Sequence, residues 1–109
     1  MKHTTKAICK LNDNFRTTGI GGRIMITAGV QSLPAPDYLA VLSLVQTFTE
    51  FTPDNDPWNE HDFGAVEHKE TKYFWKIDYY DRSLQGGSPD PTDPKQTTRV
   101  LTIMRADEY

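Results

Sequence analysis

The sequence contains a single cysteine, Cys9, and no long uninterrupted run of apolar residues. One thiol excludes a disulfide within the chain and is typical of proteins from a reducing compartment. A membrane-spanning helix needs roughly 20 mainly apolar residues, and Ser, Thr and Gln interrupt the longest candidates here. The N-terminal residues MKHTTKAICKLND lack the apolar core and the small-residue cleavage site of a signal peptide. We therefore predict a cytoplasmic protein without a membrane span.

Familiar catalytic motifs are also missing. The glycine-rich stretch TGIGG at 18–22 is not followed by the Gly-Lys-Ser/Thr of a phosphate-binding loop, and it precedes a predicted strand rather than a helix. We interpret it as a flexible turn. No Cys/His pattern typical of a cysteine nucleophile surrounds Cys9, so we interpret this residue as part of a helix face.

The chain is long enough to form one hydrophobic core. Its 109 residues include 37% hydrophobic and 25% charged side chains, which is ordinary for a globular domain. Two tryptophans, five tyrosines and five phenylalanines add large apolar surfaces that a core can bury. We predict a single domain over residues 1–109.

Hydrophobic periodicity predicts an α+β fold with the element order α-β-α-β-β-β. The predicted elements are helices over 4–16 and 37–50 and strands over 23–27, 61–67, 72–80 and 97–105. Short turns between the later strands favour a mainly antiparallel sheet, which two helices would cover to form a two-layer sandwich. A turn or single helical turn is predicted at 28–33, and a long surface loop at 82–96.

Each main element shows an apolar face. The first helix has Ile8, Leu11 and Phe15 on one side. The second helix, which Asp37 is expected to cap, has an apolar stripe formed by Tyr38, Val41, Leu42, Val45 and Phe48 and widened by Leu39 and Leu44. Alternation in the strand at 72–80 predicts that the core side consists of Tyr73, Trp75, Ile77 and Tyr79.

Negative charge is concentrated in the middle of the chain. The net charge is −3, yet residues 50–93 hold eleven of the fifteen Asp and Glu and only four of the twelve Lys and Arg, a local charge of −7. Binding to a phosphate backbone depends on Lys and Arg, so direct nucleic-acid binding by this segment is not expected. Such a segment is instead typical of a metal site, a contact with a basic protein surface, or simple solubility.

The loop at 54–62 offers candidate metal ligands, namely Asp54, Asp56, His61 and Asp62. Oxygen ligands with one imidazole would suit Mg²⁺, Mn²⁺ or Ca²⁺. The spacing does not fit a calcium-binding loop, because Ala65 stands where a bidentate Glu is needed. Zinc is disfavoured because no second His or Cys follows at ligand spacing. No motif in the sequence therefore predicts a cofactor.

Two other interpretations of the same loop stay open. His61 lies between Glu60 and Asp62, and Asp78 on the neighbouring strand could orient it for acid–base chemistry. Alternatively, the acidic residues are turn formers and surface partners of Lys72 and Lys76 across a hairpin.

A third interpretation is a protein-binding surface in which aromatic side chains anchor the partner and carboxylates steer a basic surface into place. Phe74 would add to its aromatic part. The residues assigned to this surface are Asp54, Asp56, Trp58, Glu60, His61, Asp62, Asp78, Tyr80 and Asp81.

Several stretches resemble a known family. They are LNDNFR (11–16), GGRIMITAGV (21–30), FTPDNDPWNEHDFGAVE (51–67), YFWKIDYYD (73–81) and RVLTIMRADEY (99–109). Together they resemble the domain of unknown function 3768, a family of small bacterial proteins found largely in alphaproteobacteria and often on mobile elements. The resemblance implies a single-domain cytoplasmic protein of a bacterium or phage, and it implies no activity, cofactor or catalytic residue.

The leading hypothesis is a small acidic binding protein of a mobile element, without enzymatic activity, that recognises a basic protein surface. In its most concrete form it inhibits a nucleic-acid-targeting defence complex, such as a CRISPR effector. Asp54, Asp56, Glu60 and Asp62 would then imitate phosphates while Trp58 anchors the complex. The alternative is a divalent-metal-dependent enzyme that uses the loop at 54–62. A nucleic-acid-binding face on the first helix would use Lys2, Lys6, Lys10 and Arg16, and it is the least favoured option.

Overall fold

A computed structural model describes residues 2–109, with side chains described from Thr4 onward. The elements are α1 (Lys2–Thr18), β1 (Gly22–Ile26), α2 (Ala28–Gln31), α3 (Ala35–Gln46), β2 (Phe63–His68), β3 (Thr71–Tyr80), β4 (Thr98–Arg105) and the short 3-10 helix η1 (Ala106–Glu108). The α+β class is confirmed. None of the helices described is long and apolar enough to cross a membrane.

The four strands form one mixed sheet in the order β1-β4-β3-β2. β2 and β3 pair antiparallel through the tight turn at 69–70, and β3 and β4 also pair antiparallel. β1 instead pairs parallel with β4, with Ile24 opposite Leu101 and Ile26 opposite Ile103. The sheet is therefore not purely antiparallel. No short turn links β1 to β4, so the connection does not dictate their relative direction.

The core follows the strand alternation predicted for β3. Tyr73, Trp75 and Ile77 are 2%, 0% and 3% exposed, whereas the residues between them are half-buried or exposed. Phe15 of α1 and Val41 of α3 belong to the same buried cluster. Burial of these large side chains is the main source of stability, at roughly 1.5–3 kcal/mol for each Val- to Phe-sized group.

Three details of the helices differ from the sequence-based expectation. α3 ends at Gln46 instead of near residue 50, and Leu39 and Leu44 are 62% and 36% exposed rather than part of the core. Asp37 lies in the first turn and does not cap the helix, because Pro34 occupies the cap position. Its carboxylate instead contacts His68 and Lys69, each at 2.9 Å, and so links α3 to the β2–β3 turn. The predicted single helical turn at 28–33 is present as α2.

The segment 82–96 forms no helix or strand and is organised by local hydrogen bonds. Asp81 Oδ1 accepts from Ser83 Oγ and from the backbone N–H of Gln85. Near the other end, Thr97 Oγ1 donates to Asp90 O at 2.8 Å. These contacts give the loop a defined path between β3 and β4.

Gly64 on β2 is required by the packing of Trp75. A Cβ at this position would lie 2.5 Å from Trp75 Nε1, and the indole is fully buried and cannot move aside. We expect Gly64→Ala to lower the free energy of unfolding by about 1–3 kcal/mol, the usual effect of overpacking. Urea denaturation measures this change. Gly87→Ala is the matched control, since its added methyl group meets nothing within 4 Å. Equal stability of the two variants would contradict this account of Gly64.

Candidate functional site

The acidic loop between α3 and β2 is folded by its own side chains. Thr52 and Asn55 exchange hydrogen bonds, with the backbone N–H of Thr52 donating to Asn55 Oδ1 at 2.9 Å. Asn55 Nδ2 also donates to Glu50 O at 3.0 Å. Asx side chains that bond to nearby backbone groups stabilise such turns. Asp54 points to solvent at the outer side of this turn.

Asp56 is the internal support of the loop. Its side chain is 3% exposed, and Oδ1 accepts from the backbone N–H groups of Glu60 and His61, both at 3.1 Å. Asn59 and His61 adopt the left-handed conformation, with φ of 57° and 55°. Non-glycine residues occupy this region at an energetic cost, so the surrounding contacts must hold them there. The carboxylate of Asp56 supplies these contacts.

Trp58 lies on the segment that this support holds in place. The indole is 74% exposed, in contrast to the fully buried Trp75. Tryptophan is enriched among the residues that anchor protein interfaces, so an exposed tryptophan on an ordered backbone is a candidate contact residue. The loop thus exposes both an aromatic group, Trp58, and a carboxylate, Asp54.

His61 connects the loop to α1. Its ring stacks on Phe51 with centroids 3.7 Å apart and planes within 2°. Nδ1 lies 2.9 Å and 3.0 Å from the two carboxylate oxygens of Asp13, and Nε2 lies 3.6 Å from Asp56 Oδ2. The imidazole is therefore held between two carboxylates on opposite sides of the ring.

Cys9 completes a small cluster with Asp13 and His61. Sγ of Cys9 lies 3.8 Å from Asp13 Oδ2, one helical turn away. Burial, with the nearby carboxylate of Asp13, raises the pKa of the thiol to about 11, so it is protonated near neutral pH. This is the one group of at least three potential ligand residues, among those with described side chains, whose ligand atoms all lie within 4.8 Å of one another. Among the residues with described side chains, the predicted ligands Asp54, Asp56, His61 and Asp62 do not form such a group, although Asp56 Oδ2 lies 3.6 Å from His61 Nε2.

Buried polar residues of α1 fasten the loop to the sheet. Asn12 is fully buried, and its Nδ2 donates to Glu60 O at 3.0 Å and to Tyr79 Oη at 2.8 Å. Tyr79 in turn donates to Glu60 Oε1 at 2.7 Å. Burial and this carboxylate raise the pKa of Tyr79 far above its ordinary value. Arg99 Nε donates to Asn12 Oδ1 at 2.8 Å and completes the network.

Arg16 is part of the core side of α1 and not of a basic surface. It is 3% exposed, donates from Nη1 to Val45 O at 2.9 Å, and has Cζ 4.9 Å from the Trp75 ring centroid. Desolvation lowers the pKa of this guanidinium. The predicted nucleic-acid-binding face therefore loses Arg16, and the side chain of Lys2 lies outside the described residues.

The remaining carboxylates of the predicted surface lie at the start of β2 and the end of β3. Asp62 has a raised pKa because of desolvation and because of repulsion from Glu60, Asp56 and Asp78. Asp78 pairs with Lys76 at 2.6 Å. The hydrogen bond from Ser83 is the main reason for the lowered pKa of Asp81. Tyr80 is half-buried at the end of the strand.

A family model described as protein of unknown function (DUF3768) matches residues 26–108. The chain belongs to the DUF3768 family. No curated protein and no solved structure matches this chain.

The DUF3768 match covers the acidic loop of the candidate site but not α1. It includes the acidic loop, His61 and the strands β2, β3 and β4. α1, with Cys9, Asn12, Asp13 and Arg16, precedes the matched residues. The resemblance predicted from the sequence is confirmed for residues 26–108, while LNDNFR at 11–16 lies outside the match.

Sequence reasoning did not identify Cys9, Asn12 or Asp13 as members of the site. A signal was present for two of them, because Cys9 and Asp13 stand four residues apart and so share a helix face. Asn12 stands four residues after Ile8 on the apolar side of α1, where a polar side chain needs a buried partner. The identity of the partners could not be read from these spacings.

Proposed function

We propose that this DUF3768 protein is a small acidic binding protein that recognises a basic surface on a protein partner. The observation that carries the proposal is the 74% exposure of Trp58 on a loop fixed from within by Asp56. A preorganised aromatic anchor loses little conformational freedom on binding, which favours affinity. Asp56 is buried, so its part in the proposal is to hold the loop and not to touch the partner.

The negative charge of the loop and of the neighbouring strand supports the proposal that the partner surface is basic. Asp54 is exposed on the same loop as Trp58. Desolvation, together with repulsion from Glu60 and Asp78, raises the pKa of Asp62, so these carboxylates lie near one another. A positively charged partner surface would relieve this repulsion and would be steered toward it over long distances. The family match assigns no activity, so nothing in it opposes a binding role.

The more specific form of the proposal concerns the partner. We propose an inhibitor, acting in the bacterial cytoplasm and encoded on a mobile element, of a complex that targets nucleic acid. Spaced carboxylates can occupy a channel whose Lys and Arg side chains otherwise bind phosphates. Tyr80 and Asp81, at the end of β3, would form the far margin of this surface.

We also propose that the fold is a two-layer sandwich, with the helices on the sheet face that carries Trp75. Phe15, Val41 and Trp75 belong to one buried cluster, which supports this arrangement. The opposite face carries Phe74 and Lys76, both half-buried.

Capture from a nuclease-treated bacterial lysate tests the proposal. We expect the wild type to retain a basic nucleic-acid-binding protein that added DNA or RNA displaces. Trp58→Ala is expected to weaken this complex by about 2 kcal/mol or more, roughly 30-fold in affinity, as for a central aromatic anchor. Asp54→Lys should weaken it as well, through loss of charge complementarity.

Leu39→Ala is the matched control, because Leu39 is an apolar residue that is 62% exposed but belongs to α3 and not to the acidic loop. This variant should capture the same partner as the wild type. Retention of the same proteins by the Trp58 and Asp54 variants, or capture that nucleic acid does not affect, would contradict the proposal.

A further inference from the structure

The cluster of Cys9, Asp13 and His61 brings together three different metal-binding groups. Cys9 and Asp13 stand on successive turns of α1, and His61 approaches them from the acidic loop. The Sγ···Oδ2 distance is 3.8 Å, and Nδ1 of His61 lies 3.0 Å from the same Oδ2. A thiolate, a carboxylate and an imidazole are ligands that zinc accepts together.

The distances fit tetrahedral coordination. With zinc–ligand bonds of about 2.3 Å to sulfur and about 2.1 Å to oxygen and nitrogen, neighbouring S and O atoms lie about 3.6 Å apart, and N and O atoms about 3.4 Å apart. The Sγ–Oδ2 separation of 3.8 Å is close to the first of these values. The Nδ1–Oδ2 separation of 3.0 Å is a hydrogen-bond length and would widen by about 0.4 Å when zinc replaces the proton. The third pair, Sγ and the imidazole nitrogen, lies within 4.8 Å and can close by side-chain rotation.

Neighbouring residues orient the three groups. Arg16 donates to Asp13 Oδ1 at 3.2 Å, and Cys9 Sγ lies 3.8 Å from Oδ2. His61 Nδ1 lies between the two oxygens, 2.9 Å from Oδ1 and 3.0 Å from Oδ2. The buried carboxylate of Asp56 faces Nε2 of His61, on the ring edge opposite Asp13. Metal-ligating histidines characteristically direct the second ring nitrogen to a carboxylate. Stacking on Phe51 fixes the plane of the ring.

We propose that Cys9 Sγ, Asp13 Oδ2 and His61 Nδ1 bind one zinc ion. Three protein ligands leave a fourth position for water, which opens toward a surface groove of about 440 Å³. The groove is also lined by Lys6, Lys10 and Asn59. Zinc bound here ties α1 to the loop that carries Trp58, so it stabilises that loop as well as the fold.

Cobalt substitution tests the site in the untagged 109-residue chain. Cys9 is the sole thiol of the protein, so an intense near-ultraviolet cobalt–thiolate absorption reports on this residue alone. The variants are Cys9→Ser and His61→Gln, and the zinc affinity of each is measured by competition with a chromogenic chelator. His68→Gln is the matched control, because His68 also contacts an aspartate, Asp37, at 2.9 Å but has no cysteine in its cluster. Circular dichroism verifies that each variant is folded.

We expect one zinc per chain and a cobalt–thiolate band in the wild type and in His68→Gln. The band should vanish in Cys9→Ser, and zinc affinity should fall at least tenfold in Cys9→Ser and His61→Gln. Zinc should raise the melting temperature of the wild type and the control, since a ligand bound only by the native state stabilises it. Absence of the band in the wild type, equal zinc affinity in Cys9→Ser, or one zinc shared by two chains would overturn the proposal.

Discussion

Asn12→Ala is expected to lower the free energy of unfolding by about 3 kcal/mol, because it removes the acceptor of a buried charged donor. Arg99 is 3% exposed, and its Nε donates to Asn12 Oδ1. Among the described residues, no carboxylate lies within 4.0 Å of the Arg99 guanidinium, whose polar partners are Asn12 Oδ1 and Pro91 O. Without Asn12 the Nε–H of Arg99 loses its acceptor inside the protein, and Nη2 keeps only the contact with Pro91 O.

The same substitution also frees Tyr79 and Glu60 O from their contacts with α1. Domains of this size typically have 5–15 kcal/mol of stability, so a loss of about 3 kcal/mol is large. Urea denaturation with an unchanged m-value measures it. Asn14→Ala is the control, since Asn14 is exposed on the same helix two residues later. If both variants unfold at the same urea concentration, the network around Asn12 does not have the role assigned to it.

Asp56→Ala is expected to lower the free energy of unfolding by about 3–6 kcal/mol and to release the loop that carries Trp58. The two hydrogen bonds that its carboxylate accepts are charge-assisted, and each such bond contributes about 1.5–3 kcal/mol. Their loss removes the restraint on the left-handed residues Asn59 and His61. Amide hydrogen exchange should become faster at Glu60 and His61, whose N–H groups lose their acceptor.

Asp54→Ala provides the comparison for Asp56. Asp54 has the same charge two residues earlier, but it is exposed, so its substitution should change stability by no more than about 0.5 kcal/mol. Amide exchange at Glu60 and His61 should then match the wild type. Slow exchange at these two amides in Asp56→Ala would show that other contacts hold the loop.

The part of the fold that depends on local pattern could be predicted. Alternation between Tyr73, Trp75 and Ile77 identified the core face of β3, and the turn at 69–70 was placed between two paired strands. The parallel pairing of β1 with β4 could not be predicted, because about 70 residues of chain separate the two strands and no turn fixes their direction. Long-range pairing is decided by packing that a single sequence does not display.

The candidate site could likewise be predicted only in part. The concentration of carboxylates at 50–93 was evident from the sequence, but Asp54 and Asp56 could not be distinguished there, although one is exposed and the other is buried. The sequence predicted Arg16 as a surface cation. In the structure it donates to a carbonyl of α3 and lies over the Trp75 ring. His61 was recognised as a candidate, yet its partners Cys9 and Asp13 lie about 50 residues earlier in the chain.

Acrylamide quenching of tryptophan fluorescence, with and without the captured partner, tests the central claim most directly. Trp75 is fully buried, so quenching in the free protein reports on Trp58, which is 74% exposed. If Trp58 anchors a protein partner, the partner should protect it, and quenching should fall to the level of the Trp58→Ala variant. Quenching that is unchanged in the complex would contradict the proposed function, because Trp58 would then remain in water while the partner is bound.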